Sequence, residues 1–291
     1  MIQPDEGFVE ANGIRLHYLR WRADIGGRAS LPPFLLLHAT GFLARLWQPV
    51  AETLATQFDV YAYDTRGHGD SDKPPPEGDN YHWRYLVADL RGFCDALGLS
   101  GVSIAGHSSG GAAAAYLAAE DPGYVSRLVL FEPIILPPQF LPPQDQRRDL
   151  AEGARRRRAV WSSIEEIIGA YRTRPAFARW RDDVLRLYAE HGTFRREDGQ
   201  MELKCPGEIE ANVFEHSRSL DTWDRLPEIR CPALVMHGEL TGEPFVPLMA
   251  EIARRLPDAR LRSVPEAGHL APMERPEAVA QAVLEFMAEP T

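Results

Sequence analysis

Two hydrophobic rhythms run along this chain, one of period two and one of period 3.6. Phe8–Glu10 and Ile14–Leu19 alternate apolar and polar residues as half-buried strands do, and Asn12-Gly13 between them predicts a tight antiparallel turn. Phe34–Leu37 is apolar at every position, the pattern of a strand covered on both faces. Leu46–Phe58 repeats Trp47, Val50, Leu54 and Phe58 at helical spacing, and Tyr81–Leu97 does the same with Tyr85, Leu86, Leu90, Phe93 and Leu97. Further strands are predicted at Asp59–Tyr63, Val102–Gly106, Val125–Phe131, Ala233–His237 and Arg260–Val264. Further helices are predicted at Ser109–Glu120, Pro247–Arg255 and Pro276–Met287. Strands alternating with helices imply right-handed crossovers and a mostly parallel sheet with helices on both faces.

The alternation breaks between residues 133 and 230. That stretch opens on the proline-rich ILPPQFLPPQ and then turns helical and basic, with RRRRAVW and RPAFARWRDDVLRLYAEHG. It predicts a helical insertion, residues 133–230, carried by a core of residues 1–132 and 231–291. The insertion holds Trp161, Tyr171, Phe177, Trp180, Tyr188, Phe214 and Trp223. Such aromatics form a small core of their own, or a few of them face a ligand cavity between insertion and core. Arg155–Arg158 is expected to be a solvated helix face, with attraction of anionic substrates as the sharper alternative.

Bulk composition narrows the function classes. The 291 residues are 44% hydrophobic and 25% charged, which is ordinary for a globular protein. A formal charge of −10 lacks the basic footprint of a nucleic-acid binder. No apolar run approaches the roughly 20 residues that span a bilayer. MIQPDEGFVEANG has no basic start followed by an apolar stretch, so no secretion signal is read there. Cys94, Cys205 and Cys231 are odd in number and far apart, without metal-ligand or redox spacing. The expectation is a cytoplasmic protein with a small-molecule substrate, without nucleic-acid or membrane partners, cofactor or metal.

One corner carries the candidate chemistry. Gly106-His107-Ser108-Ser109-Gly110 fits G-x-S-x-G between a predicted strand and a predicted helix. A residue at so sharp a corner is forced into a strained backbone, and its neighbours two positions away must lack bulk. Gly106 and Gly110 supply that. The strain pushes the Ser108 hydroxyl above the sheet edge, where the helix starting at Ser109 aims free N–H groups. Without partners elsewhere, the same glycines would mark only an inert turn.

A serine hydroxyl needs a base to attack a carbonyl at neutral pH. His269, in VPEAGHL, follows the last strand, precedes the last helix and comes after the serine in chain order. An oxyanion also needs donors. The Ser109 N–H is one. The second is expected from the loop His38-Ala39-Thr40-Gly41-Phe42, on Thr40, with Gly41 next in order. His38, Phe42 and His107 beside the serine, and Trp161 and Trp180 in the insertion, are the candidates for lining a substrate pocket.

These motifs together resemble the α/β-hydrolase superfamily, specifically its lidded, esterase-like branch. The likeness rests on LLLHATGF, YDTRGHGDSDKP, GHSSGG and GHLAPMERP, whose order and spacing cover the chain outside the insertion. It implies an α/β-hydrolase fold with an eight-stranded, mostly parallel sheet, helices on both faces and a helical cap after strand six. It also implies a Ser–acid–His triad working without a cofactor. In the family the loop holding Asp64, Arg66, His68 and Asp70 braces the floor of the site, so a metal site is not expected there.

The acid departs from the family pattern. Members usually place an aspartate after the seventh strand, where this chain reads HGELTGEP and has none. Three glutamates compete. Glu132 ends the sixth strand, beside the strand that delivers Ser108, and a charge directly after a buried strand needs a partner. Glu243 and Glu239 follow the seventh strand. Glu132 is placed first. The implied reaction is hydrolysis of a carboxylic ester or lactone. A thioester, an amide, a carbon–carbon bond of a diketone or cofactor-free haloperoxidation are alternatives on the same triad. A pocket retained only as a receptor is the alternative of another class.

Overall fold

A computed structural model describes residues 3–22, 32–139 and 144–290 of the chain. The tract ILPPQFLPPQ lies partly outside them. Strands β1 (Asp5–Ala11) and β2 (Ile14–Trp21) form the predicted antiparallel hairpin, with Asn12 and Gly13 both at positive φ in its turn. β3 (Pro33–Leu37) leads through a 3-10 turn, Ala44–Trp47, into α1 (Gln48–Leu54). β4 (Asp59–Tyr63), α2 (Trp83–Ala96), β5 (Val102–His107), α3 (Ser109–Glu120) and β6 (Val125–Phe131) follow.

Between β6 and the next core strand lies the insertion. It contains α4 (Gln144–Arg155), β7 (Val160–Trp161), α5 (Ile164–Arg172), α6 (Asp182–His191), β8 (Thr193–Arg195), β9 (Met201–Leu203), α7 (Gly207–Glu215) and α8 (Thr222–Arg225). The chain returns to the core with β10 (Ala233–Gly238), α9 (Phe245–Arg255), β11 (Ala259–Val264), the short α10 (Ala271–Glu274) and α11 (Pro276–Met287). The core sheet has eight strands in the order β1-β2-β4-β3-β5-β6-β10-β11, parallel from β4 onward.

The apolar runs of the central strands are explained by helices on both sides. Leu35, Ile104, Leu128, Leu130 and Val235 point to one face, where α2, α3 and α9 pack. Phe34, Leu36, Ala105, Val129, Phe131 and Met236 point to the other, under α1 and α11. Alternate residues of one strand thus feed two cores, so neither face carries a polar stripe.

The insertion departs from the expectation of a purely helical unit. β7, β9 and β8 form a three-stranded antiparallel sheet within it. Strands of two or three residues carry too few positions to show a period of two. Trp161, Tyr171, Trp180 and Tyr188 are buried in one apolar cluster that also takes in Leu43, Leu46 and Met273 of the core. Trp223 instead packs into the core on the α3 face. The four arginines 155–158 are not an open basic face. Arg155 bridges Glu208 and Glu215, Arg156 meets Glu152, Arg157 pairs with Glu210 and Arg158 with Glu166. Paired charges of this kind hold α4 to α7 and leave little field to attract an anion.

Candidate active site

The turn after β5 has the geometry its glycines require. Ser108 sits at φ 54° and ψ −114°, a conformation L-residues rarely adopt. A Cβ at Gly106 would lie 2.6 Å from the backbone of Gly110 and Gly111, and one at Gly110 2.8 Å from the carbonyl oxygens of Leu37 and His38. Strand, helix and the neighbouring loop therefore meet at this point with no room for a side chain. The Ser108 N–H donates to Phe131 O at 3.0 Å, and Ser108 O receives the N–H groups of Ala112 and Ile134. These bonds over-determine the strained residue. No side-chain hydrogen bond holds Ser108 Oγ among the described residues, and such bonds often tighten only when substrate is bound.

His269 lies on the loop between β11 and α10, next to this turn. His107 donates from Nε2 to the His269 carbonyl at 2.9 Å, and the two ring centroids are 5.0 Å apart. The neighbour of Ser108 thus ties the elbow to the histidine loop. His269 Nδ1 lies 2.7 Å from Glu132 Oε2. An ionised carboxylate can only accept, so Nδ1 carries the proton and Nε2 keeps the lone pair.

Glu132 has no exposed surface. It stands at φ 38°, directly after β6, and its N–H is held by Met236 O. Its other oxygen, Oε1, receives the Gly238 N–H at 2.8 Å and the Thr241 hydroxyl at 2.6 Å. Burial alone would raise its pKa. The hydrogen bond and charge of His269, with the Thr241 and Gly238 donors, outweigh that and hold the carboxyl below its usual range. The other two glutamates do not approach the histidine. Glu239 accepts the N–H of Glu266, and Glu243 is exposed after β10. Thr241, which the sequence reading passed over, is the residue of that loop that reaches the acid. The missing aspartate in HGELTGEP was the available signal.

The loop after β3 is built by neutral histidines. His38 donates from Nδ1 to Ala39 O at 2.8 Å and accepts the Thr65 N–H on Nε2 at 3.0 Å. His68 donates from Nδ1 to Arg66 O and accepts the Gly41 N–H on Nε2, each at 2.9 Å. Burial drives the His68 pKa down to about 3 and lowers that of His38, which suits their role as acceptors. The Gly41 N–H is therefore held by the buried His68 ring. The Thr40 N–H and hydroxyl both reach Ser109 Oγ, at 3.0 and 3.1 Å. Ser109 thus meets the loop with its side chain and starts α3 with its backbone.

The loop bearing Asp64 braces this floor. Asp64 accepts from His17 Nδ1 and from the backbone N–H groups of Ala44 and Asp70. Arg66 grips Asp89 with two bonds of 2.6 Å.

The pocket candidates separate. His38 and His107 are buried and hydrogen-bonded in the scaffold, so they are not wall residues. Their polar rings serve the backbone instead. Trp161 is buried inside the insertion, tilted against Tyr171 with the Arg158 guanidinium over its ring. Phe42 and Trp180 do come together, with centroids 5.4 Å apart and Tyr188 beside both. They form the contact where the insertion meets the loop after β3. Glu210 of α7 also reaches this loop: a Cβ at Gly41 would lie 2.4 Å from its Oε1.

No helix among the described residues is long and apolar enough to cross a membrane. Residues 34–282 match the family model described as the alpha/beta hydrolase family. The N-formylmaleamate deformylase of Pseudomonas putida is 30% identical over 98% of this chain and 97% of its own length. The crystal structure of a thermophilic esterase from Thermogutta terrifontis, with malate bound, shares 26% identity at a TM-score of 0.74, covering 97% of this chain and 98% of that one. The crystal structure of E-2-(acetamidomethylene)succinate hydrolase shares the fold at a TM-score of 0.82 and 22% identity, covering 99% and 100%.

Proposed function

The chain belongs to the alpha/beta hydrolase family, and from that membership we propose that it is a serine hydrolase opening a carboxylic ester or lactone through an acyl-enzyme on Ser108. The observation that carries the proposal is the bond of 2.7 Å from His269 Nδ1 to a buried, ionised Glu132, beside a serine held at positive φ. In the first half-reaction Ser108 Oγ bonds to the carbonyl carbon and its proton passes to His269 Nε2. The N–H groups of Ser109 and Thr40 stabilise the oxyanion, whose charge makes it a better acceptor for Thr40 than a neutral hydroxyl. The tetrahedral adduct collapses, the carbon–oxygen bond breaks, and the leaving alkoxide takes the proton from His269. In the second half a water gives its proton to His269 and attacks the acyl carbon, and Ser108 leaves reprotonated with release of the acid. Glu132 remains a carboxylate throughout, fixing the tautomer and stabilising the imidazolium.

A second reading has one specific support. A relative 30% identical over nearly the whole chain is a deformylase of an N-formyl amide. The same groups can cleave an amide carbonyl, with His269 protonating a departing nitrogen. A substrate panel of short p-nitrophenyl esters, lactones, thioesters and N-formyl or N-acyl amides separates the two. Turnover and fluorophosphonate labelling of Ser108 are expected in the wild type, and Ser108→Ala is expected to lose both while keeping its thermal unfolding. Turnover that survives in Ser108→Ala sinks the proposal. Absence of both turnover and labelling in the wild type would favour a receptor.

A further inference from the structure

We propose that Glu274 is a positioning residue for His269, through which Arg179 of the cap acts on the catalytic loop. The proposal rests on the serine-hydrolase reading above. Glu274 closes α10 with its side chain only 4% exposed. Its Oε2 accepts the Gly268 N–H at 2.8 Å and the Arg179 Nε at 3.2 Å. A carboxylate withdrawn from water needs such partners, and one of these is the peptide N–H of Gly268, the residue before His269. The Arg179 guanidinium lies close to the same peptide, since a Cβ at Gly268 would sit 2.9 Å from its Nη2.

Other contacts make this a docking point of the cap. The Arg181 N–H donates to Met273 O at 3.1 Å, and the Arg181 side chain pairs with Glu277. Leu270 and Met273, which lie between His269 and Glu274, join the apolar cluster that holds Trp180 and Tyr188. The histidine loop is therefore gripped from the sheet by Glu132 and His107, and from the cap by Arg179 acting through Glu274. Among the described residues no hydrogen bond or ion pair joins Glu274 to Ser108, so it acts by placing His269.

The test uses Glu274→Gln, Arg179→Met and the double variant in the full chain. Readouts are kcat per titrated active site, KM on the best ester, and the rate of Ser108 labelling by a fluorophosphonate. Glu274→Gln is expected to lower kcat and the labelling rate together by roughly 10–100-fold, with KM within about threefold, because small misplacements of a catalytic group cost that much. Arg179→Met is expected to lower both by about three- to tenfold, and the double variant to be no worse than Glu274→Gln, since both remove one shared network. A merely structural role would lower the melting temperature and leave turnover per active site unchanged. Labelling and kcat within twofold of wild type in Glu274→Gln would overturn the proposal. If Glu274→Gln does not fold, an unchanged labelling rate in the half-exposed Arg179→Met overturns it instead. A wild type that is not labelled at Ser108 refutes the serine-hydrolase reading itself.

Discussion

At the scale of single residues, the site depends on which carboxylate serves His269. Glu132 is buried at the end of β6 with three donors around it, whereas Glu239 holds a turn and Glu243 faces solvent. Glu132→Gln keeps the shape but offers an amide where the tautomer needs a carboxylate. It is expected to lower kcat by roughly 10²–10⁴-fold, while Glu239→Gln and Glu243→Gln stay within about threefold. Steady-state kinetics on one ester decide it, and a larger loss in either of the latter two would move the acid to the loop after β10. The corner at Ser108 and the loop at His269 were legible because each stands in a motif whose backbone demands are written in neighbouring glycines. The acid was less legible because its position depends on side-chain reach across two strands. Thr241 was legible only through the aspartate missing from its loop, since a threonine in a loop carries no pattern of its own. His38 and His107 were misread as walls because sequence places them near the serine without saying which way a ring turns.

At the scale of elements, the parallel strands were readable because burial on both faces leaves an unbroken apolar run, as in Leu128–Phe131. The helix after β3 was placed less well. Pro49 lies at its second position, and a 3-10 turn precedes it where one continuous helix was expected. The cap strands and α10 are too short for periodicity to register. The strand–helix corner permits a sharper prediction. At Gly106 an added methyl meets backbone on the far side of the turn, which cannot give way, whereas at Gly169 in α5 it meets nothing within 4 Å. Gly106→Ala is therefore expected to destabilise by about 3 kcal/mol and abolish labelling of Ser108, and Gly169→Ala to stabilise by roughly 0.5–1 kcal/mol with activity intact. Urea unfolding and labelling of the two variants check this. A Gly106→Ala protein as stable and as readily labelled as the wild type would remove the steric account of the elbow.

At the scale of the whole molecule, the loops of the site are held by imidazoles that must stay neutral. His38, His68 and His107 are each driven below the ordinary histidine range by burial, His68 to about 3. In the unfolded chain all three take a proton near pH 6.5. Between that value and their lower folded values, unfolding takes up protons, so stability is greatest above about pH 6.5 and falls as pH drops. Each group contributes up to about 1.4 kcal/mol per pH unit over that window. His82 and His191 shift the same way through partial burial. His17 shifts oppositely, because burial is outweighed by its hydrogen bond and charge pairing with Asp64, and it opposes this slope above about pH 6.5. Glu132 and Asp64, both held below the carboxylate range against their own burial, add a further loss only below about pH 4. Urea unfolding is therefore expected to show proton uptake that grows from under one proton per molecule near pH 7 to about two near pH 5. His68→Asn can still accept the Gly41 N–H through its amide oxygen, and it should reduce that uptake by about one. A flat stability profile over this range, or a His68→Asn slope equal to the wild type's, would mean that the buried imidazoles do not set the acid limit.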